Sequence, residues 1–372
     1  MTGKCTRWLA AVALAIAVVL PAAPAQAQDH DETQALLDLY LGQGGPGAGL
    51  HAGDETGSWT LSSGTAVIFQ NRALTADDHF RIASQTKTFT AAVVLQLVDE
   101  GLVDLDAPIG QYLPGVVDNA DYDGNAISVR QILQHTSGIA RDAVGAAAEP
   151  DGGYTLGELV RAGLAQAPQF APGTDWGYSN VNYHLAGLLI EELTGQTVGE
   201  AVTERIIEPL GLTGTSYPVP DDGTLPGPYL PGYSGGRLGP FFFWIDVTFN
   251  QDMSFNGPAG SMTSTLRDLV AFDQALLAGE VVSPASLAEM RTTVPSTAYG
   301  ADYGLGFMRW ELSCGGEAWG HAGNLGTGHS SITMVTEDGR FASMVTNAWA
   351  SSEPTLSRVD LLDAALCEEA TP

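Results

Sequence analysis

The chain has 372 residues, 44% of them hydrophobic, which is enough for one large domain or for two closely packed ones. Its 43 acidic residues outnumber its 15 basic residues and give a formal net charge of −28 at pH 7. Such an acidic protein is a poor partner for nucleic acid or for an anionic membrane surface.

The first residues have the pattern of an export signal. A short basic region precedes an apolar run over residues 9–20, and the small-x-small sequence Ala-Gln-Ala follows at 25–27. The apolar run is too short for a membrane span. We therefore expect residues 1–27 to be a signal peptide and residues 28–372 to be a secreted, extracellular domain without a membrane span.

The cysteines are consistent with export. Cys5 lies in the predicted signal peptide, which leaves Cys314 and Cys367 in the mature chain. An even number of cysteines in an oxidising compartment favours pairing, so we predict a disulfide between these two rather than two free buried thiols.

Hydrophobic periodicity after the signal is strand-like near both ends of the chain and mainly helical between them. The predicted elements in chain order are a helix at 30–41, a strand at 59–69, helices at 84–100, 128–135, 155–165, 180–193 and 265–277, strands at 303–312, 330–336 and 341–347, and a helix at 355–366. This order predicts a sheet built from the two ends of the chain, with a helical insertion.

One lysine stands out. Lys87 is the only lysine after the predicted signal, whereas arginine occurs twelve times there. An ammonium can lose its proton when burial depresses its pKa, whereas a guanidinium cannot, so a single lysine indicates a role as a base. Ser84 precedes it by three residues, which places both side chains on one face of the predicted helix, and a serine becomes a nucleophile only beside a base. The alternative is an ordinary helix-capping serine followed by a surface lysine.

Three short motifs follow one another along the chain. Residues 84–87 are Ser-Gln-Thr-Lys, residues 178–180 are Tyr-Ser-Asn, and residues 321–323 are His-Ala-Gly. They resemble the Ser-x-x-Lys, Tyr-x-Asn and Lys-Thr-Gly or His-x-Gly motifs of penicillin-recognising serine hydrolases, the family of secreted D-alanyl-D-alanine carboxypeptidases, class C β-lactamases and related esterases. The resemblance covers nearly the whole mature chain, including residues 135–138 (His-Thr-Ser-Gly) and 172–174 (Pro-Gly-Thr).

The resemblance implies a fold of the α+β class, β-lactamase/transpeptidase-like, with an antiparallel sheet flanked by helices and a helical subdomain inserted. We place the sheet part at about 28–100 and 295–372 and the helical part at about 101–294. This division agrees with the hydrophobic patterning described above.

The resemblance also implies roles for the matching residues. Ser84 would be the nucleophile, and Lys87 and Tyr178 would share general-base and general-acid duty, with the order of proton transfer left open. Tyr178 could act as the base only beside positive charge, which Lys87 and His321 would supply. The backbone N–H groups of Ser84 and Asn324 would form the oxyanion hole. The predicted substrate-binding residues are Asn180, which would also hold Lys87, together with His321, Gly323, Asn324 and Arg309.

Two positions depart from the family pattern and bear on the substrate. Ala322 and Asn324 stand where the family often has hydroxyl residues that contact the substrate carboxylate. Arg309 is a candidate for that contact because arginine binds carboxylates bidentately, although it also fits a surface position on a strand.

Other kinds of site have weaker support. Residues 232–236 match Gly-x-Ser-x-Gly, but the prolines around them predict a loop, whereas that motif needs a strand before it and a helix after it. The seven histidines lack metal-binding spacing, so we expect no metal and no cofactor.

We therefore expect a secreted serine D,D-carboxypeptidase-like hydrolase that removes terminal D-alanine from peptidoglycan-type peptides through an acyl-enzyme on Ser84. The alternatives are a β-lactamase or esterase on the same scaffold, a D-amino-acid amidase or aminopeptidase, and a non-catalytic penicillin-binding sensor. The expected partner is a small peptide, β-lactam or ester, with no nucleic acid, and the expected state is a monomer.

Overall fold

The computed structural model describes residues 2–3, 30–218, 223–238, 241–350 and 356–368. Residues 1–30 and residues 31–372 form two separate units. The predicted apolar run and cleavage site of the signal peptide lie outside the described residues. Among the described helices, none combines the length and the hydrophobicity needed to cross a bilayer.

The second unit alternates helices and strands along its length. The α-helices are α1 (Asp31–Gly44), α2 (Thr86–Asp99), α3 (Val129–Leu133), α4 (Leu156–Leu164), α5 (Asn180–Thr194), α6 (Val198–Val202), α7 (Glu208–Leu210), α8 (Gly257–Gly260), α9 (Leu266–Leu277), α10 (Pro284–Met290) and α11 (Arg358–Glu368). The strands are β1 (Gly47–Asp54), β2 (Gly57–Gly64), β3 (Phe80–Arg81), β4 (Tyr233–Leu238), β5 (Phe241–Asp246), β6 (Thr263–Ser264), β7 (Val294–Pro295), β8 (Asp302–Tyr303), β9 (Met308–Glu311), β10 (Glu317–Asn324), β11 (Ser330–Thr336), β12 (Phe341–Thr346) and β13 (Ala348–Ala350).

An eight-stranded antiparallel sheet runs in the order β2-β1-β12-β11-β10-β9-β8-β7. Its strands come from residues 47–64 and 294–346, so the two ends of the chain meet at the β1–β12 pair. Together with the flanking helices, the sheet confirms the predicted α+β fold class. Two shorter sheets, β13-β4-β5 and β3-β6, lie outside it.

Helices cover both faces of the large sheet, because successive residues of a strand point to opposite sides. On β12, Met344 packs with Leu37 of α1 and Leu361 of α11, whereas the next residue, Val345, belongs to the larger cluster that contains α2 and α9. Ile82 and Phe89, which flank the Ser-x-x-Lys motif at 84–87, belong to this larger cluster. Most side chains of α2 are buried, from Thr86 through Leu95 without interruption.

The structure corrects two expectations about strands. Residues 232–236 are not a loop, because Tyr233–Leu238 forms β4; β5 rather than a helix follows it, so the context that Gly-x-Ser-x-Gly requires is still missing. Sequence analysis also gave no strand at 317–324, where β10 lies at the centre of the sheet. Six of its eight residues are buried on both faces, so the alternation that marks a half-exposed strand does not arise.

The predicted disulfide is present. Cys314 in the turn between β9 and β10 is bonded to Cys367 near the end of α11. The bond therefore attaches the last helix to the edge of the strand pair that carries the His-Ala-Gly motif.

We expect replacement of both Cys314 and Cys367 by serine to lower the free energy of unfolding by about 4 kcal/mol. The cause is the lost restriction of the unfolded chain between two residues 53 positions apart. Thermal denaturation followed by circular dichroism measures the change. A thiol reductant should lower the Tm of the wild type and leave that of the variant unaltered. Equal Tm values for wild type and variant without reductant would contradict this role.

Candidate active site

Ser84 lies in a tight turn between a strand and a buried helix. The 3₁₀ turn Ala83–Gln85 connects β3 to α2, and Ala83 has a φ of 52°, a left-handed conformation that is uncommon without glycine. The Gln85 side chain donates a hydrogen bond of 2.8 Å to Ser331 Oγ on β11, which ties the turn to the sheet. The turn therefore holds the Ser84 hydroxyl at a fixed place at the start of α2.

Lys87 is fully buried, with 0% of its surface exposed. Its Nζ atom lies 3.2 Å from Ser84 Oγ, 2.8 Å from Asn180 Oδ1 and 2.6 Å from the Ala259 carbonyl oxygen. Burial holds the pKa of Lys87 well below its ordinary value; the nearby Asp142 carboxylate opposes this shift. A neutral amine can donate its two N–H groups to the two carbonyl oxygens and accept the Ser84 proton on its lone pair.

Tyr178 immediately precedes the cap of α5 and faces the same amine. Lys87 Nζ lies 4.8 Å from the centroid of the Tyr178 ring. Burial raises the pKa of Tyr178 above its ordinary value, and the hydrogen-bonding interaction with Ser84 offsets only part of the rise. The phenol therefore stays protonated at neutral pH, where it can donate a proton but cannot accept one.

Asn180, the first residue of α5, links Lys87 to an acidic residue that sequence analysis did not identify. Its Oδ1 atom accepts from Lys87, and its Nδ2 atom donates to Asp142 at 2.6 Å. The carboxylate thereby fixes the orientation of the amide, with the oxygen turned toward the amine.

The third motif occupies β10, but its histidine does not reach the cleft. His321 is 1% exposed, its Nδ1 lies 2.6 Å from the Ala322 carbonyl oxygen, and its Nε2 lies 3.1 Å from the Tyr303 hydroxyl. Burial lowers the pKa of His321 to about 3, so the ring is neutral. The expectations that His321 contacts substrate and supplies positive charge to Tyr178 are both corrected.

Gly323 and Asn324 bring the end of β10 against the nucleophile turn. A Cβ atom on Gly323 would lie 2.2 Å from the Ile82 carbonyl oxygen, so only glycine allows this approach. Asn324 lines the cleft, and its side chain is hydrogen-bonded to Tyr299, Ser330 and Arg358. Gly323 is thus next to the turn that carries Ser84, and Asn324 shares a cavity with Ser84.

Arg309 does not fit the predicted carboxylate contact. Its guanidinium is paired with Asp302 and, at 2.8 Å, with Glu317, and it lies outside the cavity that contains Ser84. Neighbouring strands β8 and β10 supply these two carboxylates. They neutralise the guanidinium charge that would otherwise attract a substrate carboxylate. We correct this assignment.

A cavity of about 800 Å³ opens over Ser84. Its walls include several residues that sequence analysis did not identify: Arg141, Trp176, Tyr299 and Arg358. Arg358, the first residue of α11, donates to the Gly323 and Ser331 carbonyl oxygens at 3.2 and 2.8 Å. These residues lie outside the three motifs, so only the fold reveals that they line the cleft.

The arrangement brings a serine hydroxyl, a buried amine and a phenol together at the floor of an open cleft. Within the described ranges, no three histidine, cysteine, aspartate or glutamate side chains are grouped so as to hold a metal ion. The chemistry that these groups can perform is acyl transfer through a serine ester.

Curated relatives of the chain include a hydrolase and a penicillin-binding protein. The chain is 31% identical over 271 residues to unguisins hydrolase ungD' of Aspergillus campestris, covering 68% of this chain but only 48% of that protein. It therefore spans about half the length of this relative. It is also 30% identical to penicillin-binding protein 4 of Amycolatopsis lactamdurans, over 86% of this chain and 85% of that one.

Solved structures and a family model extend the similarity over the whole unit. The crystal structure of D-stereospecific amidohydrolase from Streptomyces sp. superposes with a TM-score of 0.78 at 39% identity, over 91% of this chain and 99% of that one. The beta-lactamase family model matches residues 30–366, which include all three motifs. The chain is therefore a serine hydrolase that belongs to the beta-lactamase family.

Proposed function

We propose that the protein is a D-stereospecific amidohydrolase that cleaves an amide or peptide bond on the carbonyl side of a D-amino-acid residue. The observation that carries the proposal is the fully buried Lys87 amine 3.2 Å from Ser84 Oγ, with Tyr178 beside both. The 39% identity to a D-stereospecific amidohydrolase supports the substrate class. The predicted signal and the disulfide support export of the enzyme.

The reaction starts with proton transfer from Ser84 Oγ to neutral Lys87. The serine oxygen then attacks the substrate carbonyl carbon, and the backbone N–H groups of Ser84 and Asn324 stabilise the oxyanion. Tyr178 donates its proton to the leaving nitrogen and regains one from the Lys87 ammonium as the C–N bond breaks. The opposite pKa shifts of the two groups, lowered for the amine and raised for the phenol, support Lys87 as the first base.

Water completes the cycle. Lys87, neutral again after the first half-reaction, takes a proton from a water molecule that attacks the acyl carbon. The ester bond to Ser84 Oγ breaks, and the proton returns to the serine oxygen. The products are the D-amino acid and the amine, and the enzyme is regenerated.

Two of the carboxylate contacts considered from the sequence are absent from the cleft. Ala322 lines the cavity without a hydroxyl, and Arg309 is paired with carboxylates outside it. Both residues that would bind a terminal carboxylate are thus missing from the position that the family uses. A simple amide or an internal peptide bond needs neither of them.

A D,D-carboxypeptidase is the second candidate, and Arg358 is the observation that favours it. Three hydrogen bonds engage this guanidinium, and within the described ranges the other two of its five N–H groups have no partner and could meet a substrate carboxylate. The 30% identity to a penicillin-binding protein points the same way. This candidate requires release of D-alanine from a peptide, which an amidase assay does not measure.

A substrate panel separates the candidates. We expect ammonia release from D-alanine amide and D-phenylalanine amide, with kcat/KM on the order of 100-fold above that for the L-amides. D-alanine release from a D-alanyl-D-alanine peptide, turnover of a chromogenic cephalosporin and hydrolysis of a nitrophenyl ester are measured alongside, with Ser84→Ala as the inactive control. Fast D-alanine release without amide turnover would replace the amidase with the carboxypeptidase. Turnover of the cephalosporin or the ester alone would reject both.

We expect Lys87→Arg to lower the rate of Ser84 acylation by about 10³-fold, because a guanidinium keeps the charge but cannot accept the serine proton. Lys87→Met, which keeps the length without the charge, should lose acylation equally. Labelling by a penicillin or a fluorophosphonate, located by mass spectrometry, measures the rate. Arg161→Lys, an exposed exchange on α4, is the matched control and should label at the wild-type rate. Wild-type labelling of Lys87→Arg would rule out the amine as base.

We expect kcat/KM for the D-amide to rise with pH through the depressed pKa of Lys87 and then to stay level. Below that pKa the amine is protonated and cannot accept the serine proton; above it the base is available. No fall should follow until strongly alkaline pH, because the pKa of Tyr178 is raised. Initial rates from about pH 5 to about pH 10 test this. A rate that falls as pH rises through neutrality would contradict the assignment of base and acid.

A further inference from the structure

His135 contacts the segment that carries Tyr178 on both sides of the phenol. The Gly177 N–H donates to the His135 carbonyl oxygen at 2.9 Å, and the Ser179 N–H donates to His135 Nδ1 at 3.2 Å. Between these two bonds, the His135 ring packs on the Tyr178 ring with centroids 4.4 Å apart. One histidine thus contacts three consecutive residues: it hydrogen-bonds to Gly177 and Ser179 and packs on the ring of Tyr178.

The hydrogen bonds determine which nitrogen of His135 carries the proton. Since the Ser179 N–H donates to Nδ1, this nitrogen is the acceptor and the proton resides on Nε2. Nε2 has no hydrogen-bond partner among the described residues, and the rings of Trp176, Tyr183 and Tyr303 surround the imidazole. Burial holds the pKa of His135 well below its ordinary value, so the neutral form persists.

The backbone at His135 is adapted to this contact. Its φ is 63°, a left-handed conformation that costs on the order of 1–3 kcal/mol for a residue other than glycine. The following residues hold the same segment: the Gly173 N–H donates to the Thr136 carbonyl oxygen and the Gln169 N–H donates to that of Gly138, each at 2.7 Å. The strained turn at His135 is therefore held in place by backbone hydrogen bonds from residues 169–177, the stretch that leads to Tyr178.

We propose that His135 is a positioning residue for proton transfer: it fixes the Tyr178 phenol against Ser84 and Lys87. The proposal rests on the acid role of Tyr178 in the proposed function. His135 does not line the cavity over Ser84, so it acts through Tyr178 and not on the substrate. Its effect should fall on the chemical step, because a displacement of about 1 Å in a reacting group can cost on the order of 100-fold in rate.

Three substitutions separate the ring from the acceptor. His135→Asn keeps an acceptor oxygen near the place of Nδ1 and tolerates the left-handed φ, but it removes the ring. His135→Phe keeps a ring and leaves the Ser179 N–H without its acceptor. His135→Ala removes both. We expect kcat for the D-amide to fall on the order of 10- to 100-fold in His135→Ala and less in the other two, with KM within about threefold of wild type.

A double-mutant cycle with Tyr178→Phe tests the route of the effect. If His135 acts by placing the phenol hydroxyl, adding His135→Ala to Tyr178→Phe should change kcat by less than about twofold. The same fold-loss in both backgrounds would overturn the proposal, since it would show damage independent of the phenol. A Tyr178→Phe variant with wild-type kcat would instead remove the acid role from the proposed function, and the proposal with it.

His51→Asn is the matched control. His51 is also a buried histidine, on β1, hydrogen-bonded to the Trp59 carbonyl oxygen and to Thr60 Oγ1, and it lies outside the cavity. It should keep kcat, which separates the general cost of losing a buried imidazole from the effect on Tyr178. All variants are assayed well below their unfolding midpoints. If His135→Ala does not fold, the cycle is run with His135→Asn.

Discussion

The burial of the Lys87 amine, away from water, is the constraint on which the site depends. A buried ammonium is costly unless it is paired with a carboxylate, and the Asp142 carboxylate is linked to Lys87 through the amide of Asn180. Two carbonyl oxygens satisfy the N–H groups of the neutral amine, so this form needs no counter-ion. The environment thereby produces a base from a side chain that is ordinarily an acid at neutral pH.

Several separate elements of the fold must come together to exclude water from the Lys87 amine. α2 is buried almost throughout, α8 contributes the Ala259 carbonyl oxygen, and α5 contributes Asn180. On the remaining side β10 passes so close to the nucleophile turn that Gly323 has no room for a side chain. Ala83 and His135 both have a left-handed backbone. The conformational strain at these two turns is the cost of forming the contacts around the site.

The sequence predicted the helices better than the strands, for a physical reason. Helices α2, α5 and α9 differ from their predicted ranges by at most two residues at either end, because long apolar periodicity is a local signal. β1 and β10 are rich in glycine and buried on both faces, and only their pairing with neighbouring strands reveals them. The solitary lysine identified the amine because arginine cannot replace a base. The ion pairs of Arg309 with Asp302 and Glu317 and the hydrogen bond from Asn180 to Asp142 depend on how strands and loops pair, which the spacing of residues in the sequence does not show.

The lysine count has a practical consequence for spectroscopy. Among residues 30–368, Lys87 is the only lysine, since every other basic side chain there is arginine or histidine. Isotope enrichment of lysine alone would therefore give a single side-chain amine resonance from residues 30–368. The protonation of a buried group, which is usually inferred from kinetics, becomes directly observable at one nucleus.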